Sequence, residues 1–232
     1  MTTNASFPHW TTPLIADACL RLGLPLRVAP TGLRSLTAGQ KLCGMARPVR
    51  HYGSVDVFIE AVQNSAPGEV LVIDNAGRSD ESCIGDLTVL EVQAGGLAGV
   101  VLWGLHRDTT ELLAIKVPVF SYGTSPAGPQ RLDAREPETF VVARFGLHTV
   151  TAEDFVFADD DGALFVSRER LEEILTVART IGETERIQAD AVRAGRMLHQ
   201  QLQFADYLEK RRLNPMLTFR QHLRGIRGAI EE

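Results

Sequence analysis

Three short apolar runs separated by stretches of helical period constrain this chain more than any other feature. They occupy residues 70–73, 99–103 and 117–122, each rich in Val, Leu, Ile or Phe. Between the first two lie residues 86–93, where Leu87, Leu90 and Val89 are expected to face inward from one helix that stops at Gly95-Gly96. Between the second and third lie residues 109–115, a shorter helix. Strand–helix–strand–helix–strand at this spacing predicts parallel pairing and an α/β core.

The flanks extend this plan. Thr12-Pro13, followed by Leu14, Ile15, Ala18 and Leu22, reads as a capped amphipathic helix with Gly23 as its stop. Residues 39–52 form a strand with Leu42, Gly44 and Ala46 on one face, 55–63 a second helix, and Pro67-Gly68 a turn. After Tyr122, Pro126, Pro129 and Pro137 mark an irregular surface excursion. Short strands at 140–143, 155–158 and 163–166, the last two joined by Asp159-Asp160-Asp161-Gly162, predict an antiparallel β layer. Charged helices are expected at 168–180 and 185–211 with Gly182 between them, then a tail from 213 to 232. The organisation is one mixed α/β domain over 1–182 and a helical arm and tail over 183–232, packing on a neighbouring subunit.

Composition removes several function classes. Of 232 residues, 44% are hydrophobic and 23% charged, which suits a packed core rather than disorder. A net charge of -5 and a pI near 5.7 give no overall field for a phosphate backbone, so no nucleic-acid partner is expected. A local Arg can still hold a small anion. Cys19, Cys43 and Cys83 are odd in number and lack CxxC spacing, which suggests buried thiols rather than a disulfide framework or zinc ribbon. The first residues lack a signal-peptide pattern, and no apolar run approaches the roughly 20 residues of a bilayer span. A cytoplasmic protein without a membrane partner is expected.

Ligands in open α/β sheets bind at the carboxyl ends of strands, where loops meet helix N-termini. Two such ends here are unusually polar. One is the loop from Asp74 to Asp86, whose end opens a helix and offers free N–H groups to an anion. The other is Gly104 to Asp108. Arg107 supplies a planar fork for a carboxylate, and Asp86 and Asp108 supply hard oxygens for Mg²⁺ or Mn²⁺. A small carboxylate held by Arg beside a divalent metal is one reading. A surface Arg–Asp pair, with Asp86 serving only as a helix N-cap, is the other.

Gly85-Asp86, twenty residues and then Arg107-Asp108 match the Asp-x20-Arg-Asp signature of the 4-hydroxy-4-methyl-2-oxoglutarate aldolase family. That family includes the RraA-like regulators of ribonuclease E activity, often misnamed as demethylmenaquinone methyltransferases. Residues 67–74, 95–108 and 158–162 also resemble family blocks, and the resemblance spans roughly 10–180. It implies an α/β fold, an α-β-β-α sandwich of the swivelling-domain type, here with a helical C-terminal extension. It also implies a homo-oligomer, a trimer or a hexamer built as a dimer of trimers.

Carried over by position, Arg107 binds the pyruvyl carboxylate, Asp108 ligates Mg²⁺ or Mn²⁺, and Asp86 holds a metal-bound water. Backbone N–H groups around Gly85, Asp86, Leu87 and Thr88 help hold substrate. A Glu from the neighbouring subunit completes the site through water; Glu185 is the best match and Glu183 the second. The implied activity is class II aldol cleavage of a 4-hydroxy-2-oxo acid, of the 4-hydroxy-4-methyl-2-oxoglutarate or 4-carboxy-4-hydroxy-2-oxoadipate type. Pyruvate and a 2-oxo acid are the products, and oxaloacetate decarboxylation is the side activity. The alternative is a non-catalytic regulator that binds a ribonuclease. No Lys occurs in the two motif loops, which disfavours a Schiff base there.

Other features carry less. Asp159 to Gly162 lacks the closing Glu of an EF-hand and reads as a hairpin turn. Gly95, Gly96 and Gly99 follow a helix rather than a strand, the wrong context for a dinucleotide fingerprint. His106 reads as a turn residue, Cys83 as structural, and Arg211, Arg212, Arg220, Arg224 and Arg227 as a solvated basic end.

Overall fold

The structure, a computed structural model, describes residues 9–226. They pack as two compact units, Arg27–Leu171 and residues 9–26 with 172–226. In chain order the first elements are α1 (Thr12–Arg21), β1 (Arg34–Ser35), β2 (Leu42–Arg50), α2 (Asp56–Gln63), β3 (Val70–Asp74), β4 (Ser82–Ile84) and α3 (Asp86–Ala94). Then come β5 (Gly99–Trp103), β6 (Leu105–His106), α4 (Thr109–Ile115), β7 (Val119–Ser121), β8 (Val142–Phe145) and β9 (His148–Thr151). The chain continues through β10 (Asp154–Asp159), β11 (Gly162–Ser167), α5 (Leu171–Arg193), α6 (Leu198–Gln201), α7 (Phe204–Leu213) and α8 (Phe219–Ile226).

A seven-stranded sheet in the order β1-β7-β5-β3-β2-β10-β11 organises the first unit. Its centre, β2, β3, β5 and β7, is parallel, as the alternation of runs and helices requires. The second half of the unit departs from expectation. β10 pairs antiparallel with β2 and β11 with β10, so these strands extend the same sheet instead of forming a separate layer. The pairing satisfies main-chain groups of Leu42 to Met45 in the first half of β2, which would otherwise be an open edge. The strand expected from Phe140 begins at Val142 and makes its own hairpin with β9, which the sequence reading did not place. The Asp159–Gly162 turn is the β10–β11 hairpin, with Gly162 at φ 126°.

Strand alternation divides the core between two faces. Leu71 and Ile73 of β3 join Phe58 of α2, Val89 and Val92 of α3 and Leu112 of α4. Val70 and Val72 point the other way, towards Phe120, Phe145, Val150 and Phe165. The architecture is the mixed α/β class expected, with a helical C-terminal extension.

In the second unit, Thr11 caps α1 by accepting the Leu14 N–H, and Pro13 lies in the first turn. The expected break at Gly182 is absent: α5 runs through it, and the boundary placed at 182 falls inside this helix. A Cβ at Gly182 would lie 3.2 Å from Leu14 Cδ1, so glycine serves close helix packing there. The helix ends at Gly195, φ 91°, whose left-handed backbone stops it. What was expected as one helix to 211 is therefore three segments. Phe204, Tyr207, Phe219 and His222 stack as an aromatic cluster joining α7 to α8. Arg227 and the end of the expected tail lie outside the described residues. No helix among the described residues is long and apolar enough to cross a membrane.

Candidate active site

The site begins in the sheet register. Asp74 at the end of β3 is the partner of Trp103 at the end of β5, so the two polar loops leave the sheet side by side. The short parallel pair β4–β6 carries them further, and the Arg107 N–H donates to Ile84 O at 3.0 Å. Gly85-Asp86 and Arg107-Asp108, distant in sequence, thereby become neighbours.

Asp108 holds a left-handed backbone, φ 57° and ψ 42°, a conformation that Asp tolerates better than most residues. This turns its carboxylate back over Gly85, where a Cβ would sit 2.2 Å from Oδ2. The extended φ of -142° at Gly85 suits any residue, so glycine is required there for space. Asp108 Oδ2 accepts the Asp86 N–H at 3.4 Å and lies 3.5 Å from Arg107 Nε, both long contacts. Asp86 Oδ1 accepts the Leu87 N–H at 2.7 Å, in the positive first turn of α3. Arg107 keeps half of its side chain exposed. The sequence motif is thus assembled: Gly85, Asp86, Leu87, Thr88, Arg107 and Asp108 all line one cavity of about 690 Å³.

Much of the remaining wall is apolar, with Val55, Phe58 and Ile59 at and within α2, Leu87 and Leu90 from α3 and Pro129 from the excursion; Ser82, Glu91 and Gln93 add polar groups. Here the expectation that Leu87 and Leu90 face the core is corrected. Val89 and Val92 are fully buried, whereas Leu87 is 77% exposed and Leu90 43%. Asp86 opens the helix, and the stripe Leu87, Leu90, Glu91, Ala94 therefore follows the cavity side at helical spacing. Leaving each leucine exposed forgoes about 1.5–3 kcal/mol of burial.

Asp86 and Asp108 together provide hard oxygens, and the Cβ-free space at Gly85 leaves Asp108 Oδ2 approachable. No group of three or more His, Cys, Asp and Glu side chains is poised to hold a metal among the described residues. Two carboxylates suit a cation that retains several waters, which is Mg²⁺ or Mn²⁺ chemistry rather than a closed zinc site. His106 is buried and bonded to Ser121 Oγ and Thr109 Oγ1; burial holds its pKa below the usual imidazole value. Burial pushes the Cys83 thiol far up and leaves it inert. Glu185 and Glu183 lie on α5 in the second unit. Partial desolvation and Asp17 push the Glu185 carboxyl up, against the pull of Arg21.

Sequence reasoning missed the excursion as part of the site. Gly128 lies directly against the Arg107 guanidinium, and Arg131 reaches back to Glu81 and Asn75. No periodicity announces contacts between residues 21 to 56 positions apart.

Fold and motif together define an α/β protein with a carboxylate-and-arginine site at the ends of parallel strands. The chain belongs to the RraA-like family, Aldolase/RraA, whose sequence model matches residues 12–165. Among curated relatives, a protein of Alkalilimnicola ehrlichii named "Putative 4-hydroxy-4-methyl-2-oxoglutarate aldolase" is 29% identical over 67% of this chain and 94% of that protein. Protein DlpA of Legionella pneumophila is 27% identical over 79% of this chain, which spans only 30% of that protein. Among solved structures, an uncharacterised protein of Pseudomonas syringae superposes with a TM-score of 0.72 at 26% identity, covering 83% of this chain and 92% of that one. Streptomyces coelicolor RraAS2, described as an unusual member of the RNase ES inhibitor RraA family, gives 0.69 at 26% identity over 79% and 93%.

Proposed function

We propose that this chain is a divalent-metal-dependent carbon–carbon lyase that cleaves a 4-hydroxy-2-oxo acid to pyruvate and a second carbonyl product. 4-Hydroxy-4-methyl-2-oxoglutarate and 4-carboxy-4-hydroxy-2-oxoadipate are the substrate types, and oxaloacetate decarboxylation is the side reaction. The observation that carries this reading is the assembly of Asp86, Arg107 and Asp108 around Gly85 at one end of a cavity. Relatives named as aldolases support it.

Arg107 binds the 2-oxo acid carboxylate through its fork and fixes the chain of the substrate. The first turn of α3 adds its positive end to the same anion. Asp86, which lines the cavity beside Asp108, is the carboxylate we assign to take up the 4-hydroxyl proton as the bond between carbons 3 and 4 breaks. Asp108 and Asp86 would hold Mg²⁺ or Mn²⁺, which supplies Lewis-acid stabilisation of the enolate when bound. Carbon 4 becomes a carbonyl, and the pyruvate enolate takes up a proton at carbon 3, so that the proton accepted by Asp86 is returned and its carboxylate is ionised again. Glu185 of a neighbouring copy is the proposed third carboxylate, in a trimeric or hexameric assembly.

Purified protein with Mg²⁺ and oxaloacetate, then with 4-hydroxy-4-methyl-2-oxoglutarate, should release pyruvate, detected with lactate dehydrogenase. EDTA should abolish the signal. A regulator on the same scaffold is favoured by the likeness to RraAS2. Absence of turnover with every 2-oxo acid tried, together with inhibition of a ribonuclease of the E type, would establish that reading instead.

A further inference from the structure

The rim of the cavity is built from two segments far apart in sequence. Residues 75–86 lead into Asp86, and residues 125–136, which carry no helix or strand, pass over Arg107. Arg107 itself is held weakly, by one ion-pair contact of 3.5 Å while half exposed. Its direction is therefore set by what it lies against. That surface is Gly128, where an added Cβ would sit 2.8 Å from Nη1.

Gly128 is in turn fixed from both sides. Before it, Ala127 O accepts the Ser82 N–H at 2.8 Å and the Ser82 hydroxyl at 3.0 Å. After it, Arg131 donates to Glu81 Oε1 from Nε at 3.1 Å, with Nη2 3.0 Å from the same oxygen as an ion pair, and Nη2 donates to Asn75 Oδ1 at 2.9 Å. Asn75 Oδ1 also receives His51 Nδ1 at 2.9 Å, and Arg131 Nη1 bonds to Asp133. Gly53 leaves room for this approach, since a Cβ there would meet the Arg131 carbonyl oxygen at 2.2 Å. Glu81 is only 3% exposed, and a carboxylate so buried is costly unless it is paired.

We infer that Glu81 and Arg131 form a clasp that joins the two rims and sets the direction of the Arg107 guanidinium through Gly128. Both are positioning residues for carboxylate binding, and the inference rests on the reading of Arg107 given above. Arg is required at 131 because three acceptors, on Glu81, Asn75 and Asp133, take different edges of one planar fork; an ammonium on a flexible stem cannot reach them together.

The test compares Arg131→Lys, Glu81→Gln and Gly128→Ala by steady-state kinetics with oxaloacetate and by calorimetry with oxalate. Arg107 grips the carboxylate alike in the ground and transition states, so KM and the oxalate Kd should rise about tenfold with kcat changed less than about threefold. Gly128→Ala displaces the guanidinium directly. Combined with Arg131→Lys, it should raise KM no more than the larger single change, because both act on one seat. Fold-changes that multiply, or folded variants with lowered Tm and wild-type KM and Kd, would overturn the clasp as a positioning device. If either single clasp variant fails to fold, Glu81→Gln/Arg131→Gln leaves no charge buried alone and carries the same comparison. A wild-type protein that neither turns over oxaloacetate nor binds oxalate removes the reading of Arg107. The clasp is then judged by amide exchange across residues 124–130, which must quicken about tenfold in Arg131→Lys; unchanged exchange overturns it.

Discussion

Arg107 is the one cationic side chain lining the cavity among the described residues, and its chemistry there is that of a planar fork. Arg107→Lys keeps the charge and loses the paired donors. We expect kcat/KM to fall at least about a hundredfold, mainly through KM, because two charge-assisted hydrogen bonds to the carboxylate are weakened. Wild-type turnover in that variant would take Arg107 out of substrate binding. Asp108→Asn removes one charge from the proposed cation site, so half-maximal activity should need a higher Mg²⁺ concentration, read by titration from the EDTA-treated protein. His51 gives a stability prediction. Burial holds its pKa below the ordinary 6.5, against the Asn75 hydrogen bond and Glu81 and Asp133, while Arg131 also lowers it. Its folded state thus keeps the imidazole neutral. The stability this contributes is complete above about pH 6.5 and is lost as the pH falls towards the lowered value. Denaturation midpoints of wild type and His51→Gln should converge as the pH falls below 6.5.

At the scale of elements, the site was legible wherever one local signal decided the outcome. The apolar runs at β3 and β5 and the helix start at Asp86 each follow from composition over a few residues, and adjacent parallel strands bring their loops together. Gly85-Asp86 and Arg107-Asp108 were readable for that reason. What failed depended on distant partners. Leu87 and Leu90 have the right period for burial but lie on the cavity side of α3, because the helix packs through Val89 and Val92. Gly182 reads as a breaker and is instead a packing glycine, since its role is defined by Leu14. Arg131 and Gly128 gain meaning only from Glu81 and Arg107. Gly85→Ala tests the junction of these elements. Its backbone angles suit alanine, so the expected loss is steric: Asp108 is displaced and activity drops more than tenfold, an estimate from moving a catalytic-site group by about 1 Å. The thermal midpoint should change little; a fully active variant would show that Asp108 need not occupy the position over Gly85.

For the whole molecule, the described cavity offers Asp86, Glu91 and Asp108, and the proposal adds Glu185 from another copy. Closed cyclic symmetry would then create one shared site per interface. Arg107→Ala and Glu185→Ala, each inactive alone, should regain partial activity when mixed under conditions of confirmed subunit exchange. No recovery would remove Glu185 from that role and send the same experiment to Glu183.

If these loops generate a pyruvate enolate, proton exchange at pyruvate reports it without knowledge of the physiological substrate. Pyruvate is incubated with protein and Mg²⁺ in D₂O, and its methyl signal is followed by proton NMR. The signal should decay with wild-type protein, persist when EDTA is added, and decay far more slowly with Arg107→Lys, or with Asp108→Asn at an Mg²⁺ concentration that half-saturates the wild type. A methyl signal that survives with folded wild-type protein at saturating Mg²⁺, or that decays in either variant as fast as in wild type, would contradict enolate formation at this site.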